Sequence, residues 1–224
     1  LDSYEEGEML INNEETSYFS VNDWEDYRKE YIAFIFQNYH LIESYTVLQN
    51  VEAALILSNY PKDKIRARAI EIINRVGLGD HIKHKASKLS GGQKQRTVIA
   101  RAIAKDCPII VADEPTGNLD SESADIILKL LQEISKDKLV ILVTHDFNQV
   151  KDYATRKIRI FDGEIVENKV IKKTEVKEIE NKNLVPKEVP FKNMVKMVFN
   201  NLTATPKKTI LMTLVFLLAS LFFG

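Results

Sequence analysis

The sequence predicts an α/β domain built on a parallel sheet, and three observations support this prediction. Residues 109–112 and 139–143 are continuous apolar runs, which are typical of strands covered on both faces. Between them, apolar side chains from Ile126 to Ile134 recur at helical spacing, and Asp120 or Ser121 is the expected N-cap. Strand, helix and strand in this order predict a right-handed crossover.

The remaining elements follow from shorter patterns. Residues 7–11 and 31–36 predict strands because they are apolar or aromatic stretches between charged or turn-forming residues. Residues 65–76 predict an amphipathic helix, and Gly77 marks its expected end. Residues 158–166 predict a hairpin because an Asp-Gly pair, a strong turn signal, lies at its centre.

Composition limits the possible classes of protein. The chain has 224 residues, 45% hydrophobic and 28% charged, which is ordinary for a folded domain and long enough for a sizeable core. A formal net charge of -1 gives no indication of nucleic acid as a partner. The lone Cys107 cannot form an internal disulfide, and its apolar setting predicts a buried thiol in a reducing compartment.

Four regions differ in character. Residues 1–166 carry the α/β pattern, and residues 167–188 are rich in Lys and Glu, which predicts a solvated linker. Residues 189–206 place apolar side chains on one helical face, as in an interfacial membrane helix; the alternative is a helix packed on a soluble domain. Residues 207–224 begin with two lysines before an apolar run, which predicts the start of a transmembrane helix with a cytoplasmic N-terminal side.

A glycine-rich loop, Leu89-Ser90-Gly91-Gly92-Gln93, comes directly before an apolar-periodic helix. The glycines allow backbone N–H groups to approach an anion closely, and Ser90 adds a hydroxyl donor. A helix N-terminus also favours phosphate. By itself the loop is equally consistent with an ordinary helix cap, and both interpretations stay open at this point.

Two adjacent acids, Asp113 and Glu114, end the apolar run at 109–112. Ligands of α/β proteins bind beyond the carboxyl ends of the strands, and a carboxylate buried there requires a cation. We therefore expect Asp113 to hold Mg²⁺ and Glu114 to act as the general base toward an attacking water. The alternative is two exposed acids at a turn before Pro115.

Three further polar residues are informative mainly by position. Asp120 is a helix N-cap candidate, which is compatible with a functional role. His145 ends the run at 139–143, where it is able to reach a γ-phosphate or be structural, and Gln37 follows the strand at 31–36. The other histidines lack metal-ligand spacing with any cysteine and are assigned no chemistry: His40, His81 and His84.

Taken in order, these features make residues 1–166 resemble the nucleotide-binding domain of ABC transporters. The order is a glutamine after a strand, Leu-Ser-Gly-Gly-Gln, a strand-terminal Asp-Glu-Pro, Asn-Leu-Asp and a strand-terminal histidine. The resemblance implies a P-loop NTPase-like ABC ATPase fold, a helical subdomain at about residues 38–90, and ATP and Mg²⁺ as cofactors.

The resemblance also implies residue roles. Asp113 and Gln37 are implied as ligands of Mg²⁺. Gln37 is also grouped with the nucleotide-binding residues, and the resemblance implies that it contacts the coupling interface. It implies that the signature motif contacts ATP held by the opposite subunit, through Ser90, Gly91, Gly92 and Gln93. In catalysis it implies Glu114 as the catalytic glutamate and His145 as the switch histidine. Asp120, grouped with the nucleotide-binding residues, matches the aspartate at the dimer interface.

Residues 34–37, 46–51 and 113–120 more specifically resemble the macrolide-exporter and lipoprotein-release branch of the family. This resemblance implies an ATPase fused to an FtsX-like permease. It also implies a homodimer with ATP at its interface in the cell membrane, with the ATPase domain on the cytoplasmic side. The alternatives are a soluble ABC-type ATPase and a non-catalytic remnant of such a transporter.

One family element is not found in the sequence. Residues 1–224 contain no Gly-x-x-x-x-Gly-Lys-Ser/Thr, the loop that wraps the phosphates, which in the family precedes the segment that begins here at Leu1. We therefore expect a chain truncated at both ends, with weak ATP binding, negligible turnover and exposed apolar sheet surface. Micromolar ATP affinity in a titration of these 224 residues would contradict that expectation.

Overall fold

The computed structural model describes residues 9–11, 14–17 and 19–172. They belong to two units, one up to Tyr27 and one from Arg28 onward, and each is considered by itself. In the first unit, β1 (Leu10–Ile11) pairs antiparallel with β2 (Glu14–Glu15). Strand β1 corresponds to the last two residues of the strand predicted at 7–11. Residues 7 and 8 lie outside the described residues. Helix α1 (Val21–Tyr31) contains the boundary between the units.

A three-stranded parallel sheet forms the centre of the second unit. Its order is β3 (Ile32–Ile35), β4 (Ile109–Asp113) and β5 (Leu139–Val143), which confirms the strands predicted at these three places. Helix α5 (Ser121–Ile134) connects β4 to β5, and Asp120, not Ser121, is its N-cap. The carboxyl ends of all three strands lie at one edge of the sheet, which positions the residues that follow each strand near one another.

Three helices fill the chain between β3 and β4. They are α2 (Val47–Leu57), α3 (Ile65–Arg75) and α4 (Gly91–Ala104), with 3-10 turns at Gly79–His81 and Ala86–Lys88. Helix α3 confirms the helix predicted at 65–76, and Gly77 follows it with φ +68°, a left-handed conformation that a residue without a Cβ adopts easily. These helices hold the start of α4 at a fixed place beside the sheet.

The two faces of the parallel sheet differ in burial. Ala33, Ile35, Ile110 and Ala112 belong to one apolar cluster shared with the described helices. The alternating side chains point to the other face, where several are well exposed: Phe34, Leu139 (57%), Ile141 (45%) and Val143. The prediction that the strand at 139–143 is covered on both faces is therefore wrong for the described residues, because their buried cluster lies on one face. The separate expectation of exposed apolar sheet surface agrees with these side chains.

The last described elements are short. Helix α6 (Phe147–Val150) is followed by a hairpin of β6 (Arg156–Phe161) and β7 (Glu164–Val170). The hairpin confirms the prediction, but β7 continues to Val170 and so contains the first four residues of the predicted linker, 167–170. Among the described residues, no helix has the length and apolar character needed to cross a bilayer. The interfacial helix predicted at 189–206 and the membrane segment predicted at 207–224 lie outside the described residues.

Candidate functional site

The α4 tip, residues Ser90 to Gln93, is held by a complete capping box. The Ser90 Oγ accepts a hydrogen bond from the Gln93 backbone N–H at 3.3 Å, and Gln93 Oε1 accepts one from the Ser90 N–H at 3.0 Å. The leading N–H groups of a helix have no intrahelical partners. The capping box uses those of Ser90 and Gln93, so the N–H groups of Gly91 and Gly92 are the ones able to meet an anion. The helix-cap and phosphate-loop interpretations of this segment are therefore compatible.

The two glycines of the α4 tip lie very close to other parts of the same chain. A Cβ on Gly91 would lie 3.2 Å from Tyr39 Oη and 3.3 Å from Leu119 Cδ2. A Cβ on Gly92 would lie 3.0 Å from Ser123 Oγ. The glycines thus have a packing role within the chain in addition to the approach to an anion that their sequence context predicts.

The acid loop, residues 113–120, begins at the carboxyl end of β4. Asp113 is the last residue of that strand and pairs with Val143 of β5. Its side chain is exposed, so the expectation of a buried carboxylate is wrong at Asp113, because the strand ends at the open edge of the sheet. Glu114 has φ 44°, unusual for a residue with a Cβ, and its backbone N–H donates to Val143 O at 3.0 Å.

Glu114 and His145 form the closest charged contact of the site. The Glu114 Oε1 accepts from His145 Nδ1 at 2.6 Å and from the His145 backbone N–H at 2.8 Å. The Thr144 hydroxyl donates to the other Glu114 oxygen at 3.3 Å. The carboxylate is therefore held on three sides by the residues that follow β5, and its side chain is only 19% exposed.

The electrostatics of this pair favour its ionised form. Burial by itself raises the pKa of Glu114, but the hydrogen bonds and charge of His145, with the hydrogen bond of Thr144, outweigh burial and leave that pKa below its ordinary value. The hydrogen bond to Glu114 and the carboxylate charge raise the pKa of His145. Because the carboxylate can only accept, His145 presents a proton on Nδ1 toward Glu114.

Gln37 reaches the acid loop from the end of β3. Its Nε2 lies 3.2 Å from the place that a Cβ on Gly117 would take, and the Gly117 N–H donates to Glu114 O at 3.2 Å. A side chain at position 117 would push Gln37 away. The tips of the three strands therefore bring together Gln37, Asp113, Glu114 and His145, as the sequence predicts for the carboxyl edge of a parallel sheet.

The donors at this edge suit a hard divalent cation. Asp113 offers an exposed carboxylate and Gln37 an amide oxygen, and Mg²⁺ prefers such oxygen ligands while keeping positions for water and phosphate. Within residues 9–11, 14–17 and 19–172, no cluster of three or more His, Cys, Asp or Glu side chains could hold a metal by itself. The residues thus fit a metal that arrives with a phosphate ligand better than an all-protein cage.

Asp120 closes the acid loop as the N-cap of α5. Its Oδ1 accepts from the Ser123 N–H at 2.9 Å, and that hydrogen bond lowers the pKa of Asp120. Because Ser123 also lies against Gly92, the cap of α5 and the α4 tip are in direct contact. The sequence predicts the cap, but gives no indication of this contact between two helix N-termini.

A second link between the acid loop and the segment after β5 was missed by sequence reasoning. The hydroxyl of Thr116 donates to Gln149 Oε1 at 2.6 Å, and Thr116 is only 4% exposed. The two residues are 33 positions apart in the chain, so no local pattern identifies them as partners. Together with the Glu114–His145 contact, this bond fastens the acid loop to α6.

Comparisons with known proteins agree with this geometry. The ABC transporter family model matches residues 1–117. The macrolide export ATP-binding/permease protein MacB of a Shewanella species is 42% identical over 74% of this chain, and the chain spans 26% of its length. The ABC transporter ATP-binding protein MJ1508 of Methanocaldococcus jannaschii, called uncharacterized, is 42% identical over 75% of each protein. The dimeric ATP-binding cassette MJ0796, solved with ADP and Pi, has 37% identity, a TM-score of 0.65 and 77% coverage of both chains.

Proposed function

We propose that this chain, which belongs to the ABC transporter family of ATP-binding domains, is the ATP-hydrolysing part of an exporter or mechanotransmitting transporter. The observation that carries the proposal is the carboxylate of Glu114, held by His145 at the carboxyl edge of the sheet, where Asp113 ends β4 and Gln37 approaches Gly117. Such an arrangement is suited to hydrolysis of a phosphate ester or anhydride by an activated water.

Glu114 supplies the base of the proposed reaction. Its lowered pKa keeps the carboxylate ionised near neutral pH, so it is able to accept a proton from a water positioned for attack on the terminal phosphate. In the present conformation the Glu114 carboxylate is engaged by His145 and Thr144. Release of the His145 contact would free Glu114 Oε1 for the attacking water and leave the imidazole available to hydrogen-bond the phosphate.

Asp113 and Gln37 are the residues that would hold Mg²⁺. When bound there, the ion supplies positive charge to the phosphate oxygens. Asp113 has an exposed carboxylate at the edge of the sheet, and the side chain of Gln37 lies close to Gly117 of the acid loop. The chain's own contribution is therefore to place two oxygen ligands beside its general base.

The α4 tip supports a composite site between two copies of the chain. Its capping box is complete without any ligand, so the Gly91 and Gly92 N–H groups are already oriented for an anion. The related cassette MJ0796 is described as dimeric with ADP and Pi bound. By likeness, the α4 tip of one protomer would contact the γ-phosphate of ATP bound by its partner, with Asp120 at the interface.

The proposal also includes fusion of the ATPase domain to a permease. The MacB relatives are named ATP-binding/permease proteins, and this chain spans only about a quarter of their length. The apolar run after Lys207 and Lys208 agrees with a membrane segment whose N-terminal side is cytoplasmic. We therefore place the protein in the cell membrane with its ATPase domain in the cytoplasm, as part of a homodimer coupled to permease segments of the same full-length chain.

The proposal is tested on the full-length protein. Cells expressing it are separated into membrane and soluble fractions, and Mg²⁺-dependent ATP hydrolysis is measured on the purified protein. We expect the protein in the membrane fraction with hydrolysis that EDTA abolishes. Hydrolysis by a protein found only in the soluble fraction would favour a soluble ABC-type ATPase, and a membrane protein without hydrolysis would favour a non-catalytic remnant.

A further inference from the structure

The turn between α3 and the α4 tip is fastened to α4 at two points. Arg96 Nη1 donates to Gly77 O at 2.9 Å, close to the beginning of the turn. Further along, His81 Nε2 lies 3.2 Å from Gln93 Nε2, and His81 Nδ1 lies 2.9 Å from His84 Nδ1. The half-buried His81 therefore joins a residue of the α4 tip to the exposed His84.

The directions of these hydrogen bonds follow from one fixed donor. The backbone N–H of Ser90 can only donate, so the Gln93 atom that it meets at 3.0 Å is the amide oxygen. The Gln93 NH₂ group consequently faces His81, whose Nε2 must accept. A neutral imidazole that accepts at Nε2 carries its proton on Nδ1, and this proton is donated to His84 Nδ1. His84 then carries its own proton on Nε2.

We propose that His81 is a positioning residue for the α4 tip. By accepting from the Gln93 amide it fixes the orientation in which Gln93 Oε1 receives the Ser90 N–H, and so it stabilises the capping box. This inference rests on the proposed function, because the α4 tip matters to catalysis only if it contacts a nucleotide. It gives a role to His81 and His84, which sequence reasoning assigns no chemistry.

The physical consequence of losing the acceptor is specific. Without His81, Gln93 Nε2 has no protein acceptor among its described contacts, and the amide is free to rotate away from Ser90. Ser90 then loses one of the two capping-box hydrogen bonds that fix the start of the α4 tip, which carries the N–H groups of Gly91 and Gly92. A side chain that presents an acceptor where His81 Nε2 lies preserves the arrangement, whereas an apolar side chain of similar bulk does not.

The first test reads the tautomers directly and does not depend on activity. Full-length protein with ¹⁵N-labelled histidine is measured by NMR at slightly alkaline pH, and the His81 and His84 signals are assigned by their loss in His81→Gln and His84→Gln. We expect the proton of His81 on Nδ1 and that of His84 on Nε2. A proton on Nε2 of His81 would overturn the proposal, because that nitrogen could not accept from Gln93.

The second test reads the consequence for nucleotide use. His81→Leu removes the acceptor and is expected to lower kcat/KM for ATP about five-fold in the full-length protein, the loss expected for one hydrogen bond. His81→Gln restores an acceptor and is expected to stay within about two-fold of wild type. Lys83→Leu, an exposed change in the same turn, is the matched control and is expected to have no effect.

The outcomes separate this proposal from the function on which it rests. Wild-type protein that hydrolyses no ATP would contradict the proposed function, while the tautomer measurement would still decide the hydrogen-bond directions. Active wild type with an equally active His81→Leu variant would overturn the positioning role alone. A loss in His81→Leu that His81→Gln does not recover would also overturn it, because the missing property would then not be the acceptor.

Discussion

The α4 tip and the acid loop lie at two N-terminal helix ends of the same domain, but different kinds of interaction hold them. The capping box of the α4 tip joins residues three positions apart, Ser90 and Gln93. The acid loop is held by residues about thirty positions away, through Glu114 with His145 and Thr116 with Gln149. The hydrogen bonds between Ser90 and Gln93 lie within one helix turn and are supported from outside it by His81, whereas those of the acid loop depend on the packing of β4 beside β5.

This difference agrees with two roles in the proposed composite site. The α4 tip offers backbone N–H groups that no ligand has to uncover, so it is pre-organised for an anion. The acid loop holds the carboxylate of Glu114, its proposed base, in a hydrogen-bonded contact with His145. One pre-organised end and one engaged end agree with the proposed composite site, in which the α4 tip of one protomer approaches the acid loop of its partner.

The largest expected effect is on ATP hydrolysis, and it separates hydrolysis from ATP binding at the acid loop. Glu114→Gln keeps the shape of the side chain but removes the base, so hydrolysis in the full-length protein should fall roughly a hundred-fold or more while ATP binding persists. Steady-state ATPase rates and nucleotide titrations measure the two quantities. Glu122→Gln, an exposed change in the first turn of α5, is the control and should leave both unchanged. Wild-type turnover in Glu114→Gln would remove the acid loop from its role.

The next effect tests the contact between the α4 tip and α5. In Gly92→Ala the new Cβ would lie 3.0 Å from Ser123 Oγ and 3.2 Å from Ser123 Cβ, so Ser123 must give way by a few tenths of an ångström. Overpacking of this kind costs about 1–3 kcal/mol in the free energy of unfolding, which denaturant unfolding measures. The change should cost less in a Ser123→Gly background, and equal costs in the two backgrounds would show that the α4 tip is not confined by α5.

A smaller effect tests the distant link of the acid loop. Thr116→Val removes the hydroxyl that donates to Gln149 while keeping the buried shape, and should lower the free energy of unfolding by about 1 kcal/mol. Thr116→Ser keeps the donor and is the control. In a Gln149→Met background the acceptor is already lost, so Thr116→Val should add little there. Full additivity of the two changes would contradict the link.

The smallest effect concerns pH in the absence of nucleotide and Mg²⁺. The lowered pKa of Glu114 stabilises the fold above its ordinary value of 4.5, and this contribution is lost as the pH falls through the lowered pKa. The raised pKa of His145 stabilises the fold below its ordinary value of 6.5, and this contribution is lost as the pH rises through the raised pKa. The pair should therefore contribute most between pH 4.5 and 6.5.

An NMR titration of the His145 ring measures the pKa shift on which this expectation depends. Its pKa should lie above 6.5 in wild type and return toward that value in Glu114→Gln. The side chain of His145 is 83% exposed, so solvent screening keeps the shift modest. An unchanged His145 pKa in the variant would show that the two side chains are not paired in solution.

The sequence predicts those parts of the fold that local patterns determine. Apolar runs located β3, β4 and β5, helical periodicity located α3 and α5, and an Asp-Gly pair located the β6–β7 hairpin. Ordered motifs also located each strand-terminal residue of the site. These features depend on neighbouring residues in the chain, which is why a single sequence is sufficient to predict them.

The sequence failed where distant residues decide the outcome. Continuous apolar runs predict strands covered on both faces, yet Leu139, Ile141 and Val143 are exposed, because burial depends on which other elements reach that face. The same reason hides the Thr116–Gln149 bond and the approach of Gly92 to Ser123. Interactions between segments far apart in the chain leave no spacing for a pattern to detect.

The most direct measurement of the composite site mixes two inactive full-length variants. Ser90→Glu places a negative charge at the exposed start of the α4 tip, and Glu114→Gln removes the base. In a mixed dimer one site carries both defects and the other carries neither. If the α4 tip of one protomer completes the acid loop of its partner, mixing should restore about a quarter of the wild-type ATPase rate for randomly exchanging, independent sites. A mixture no more active than its two components would contradict the account.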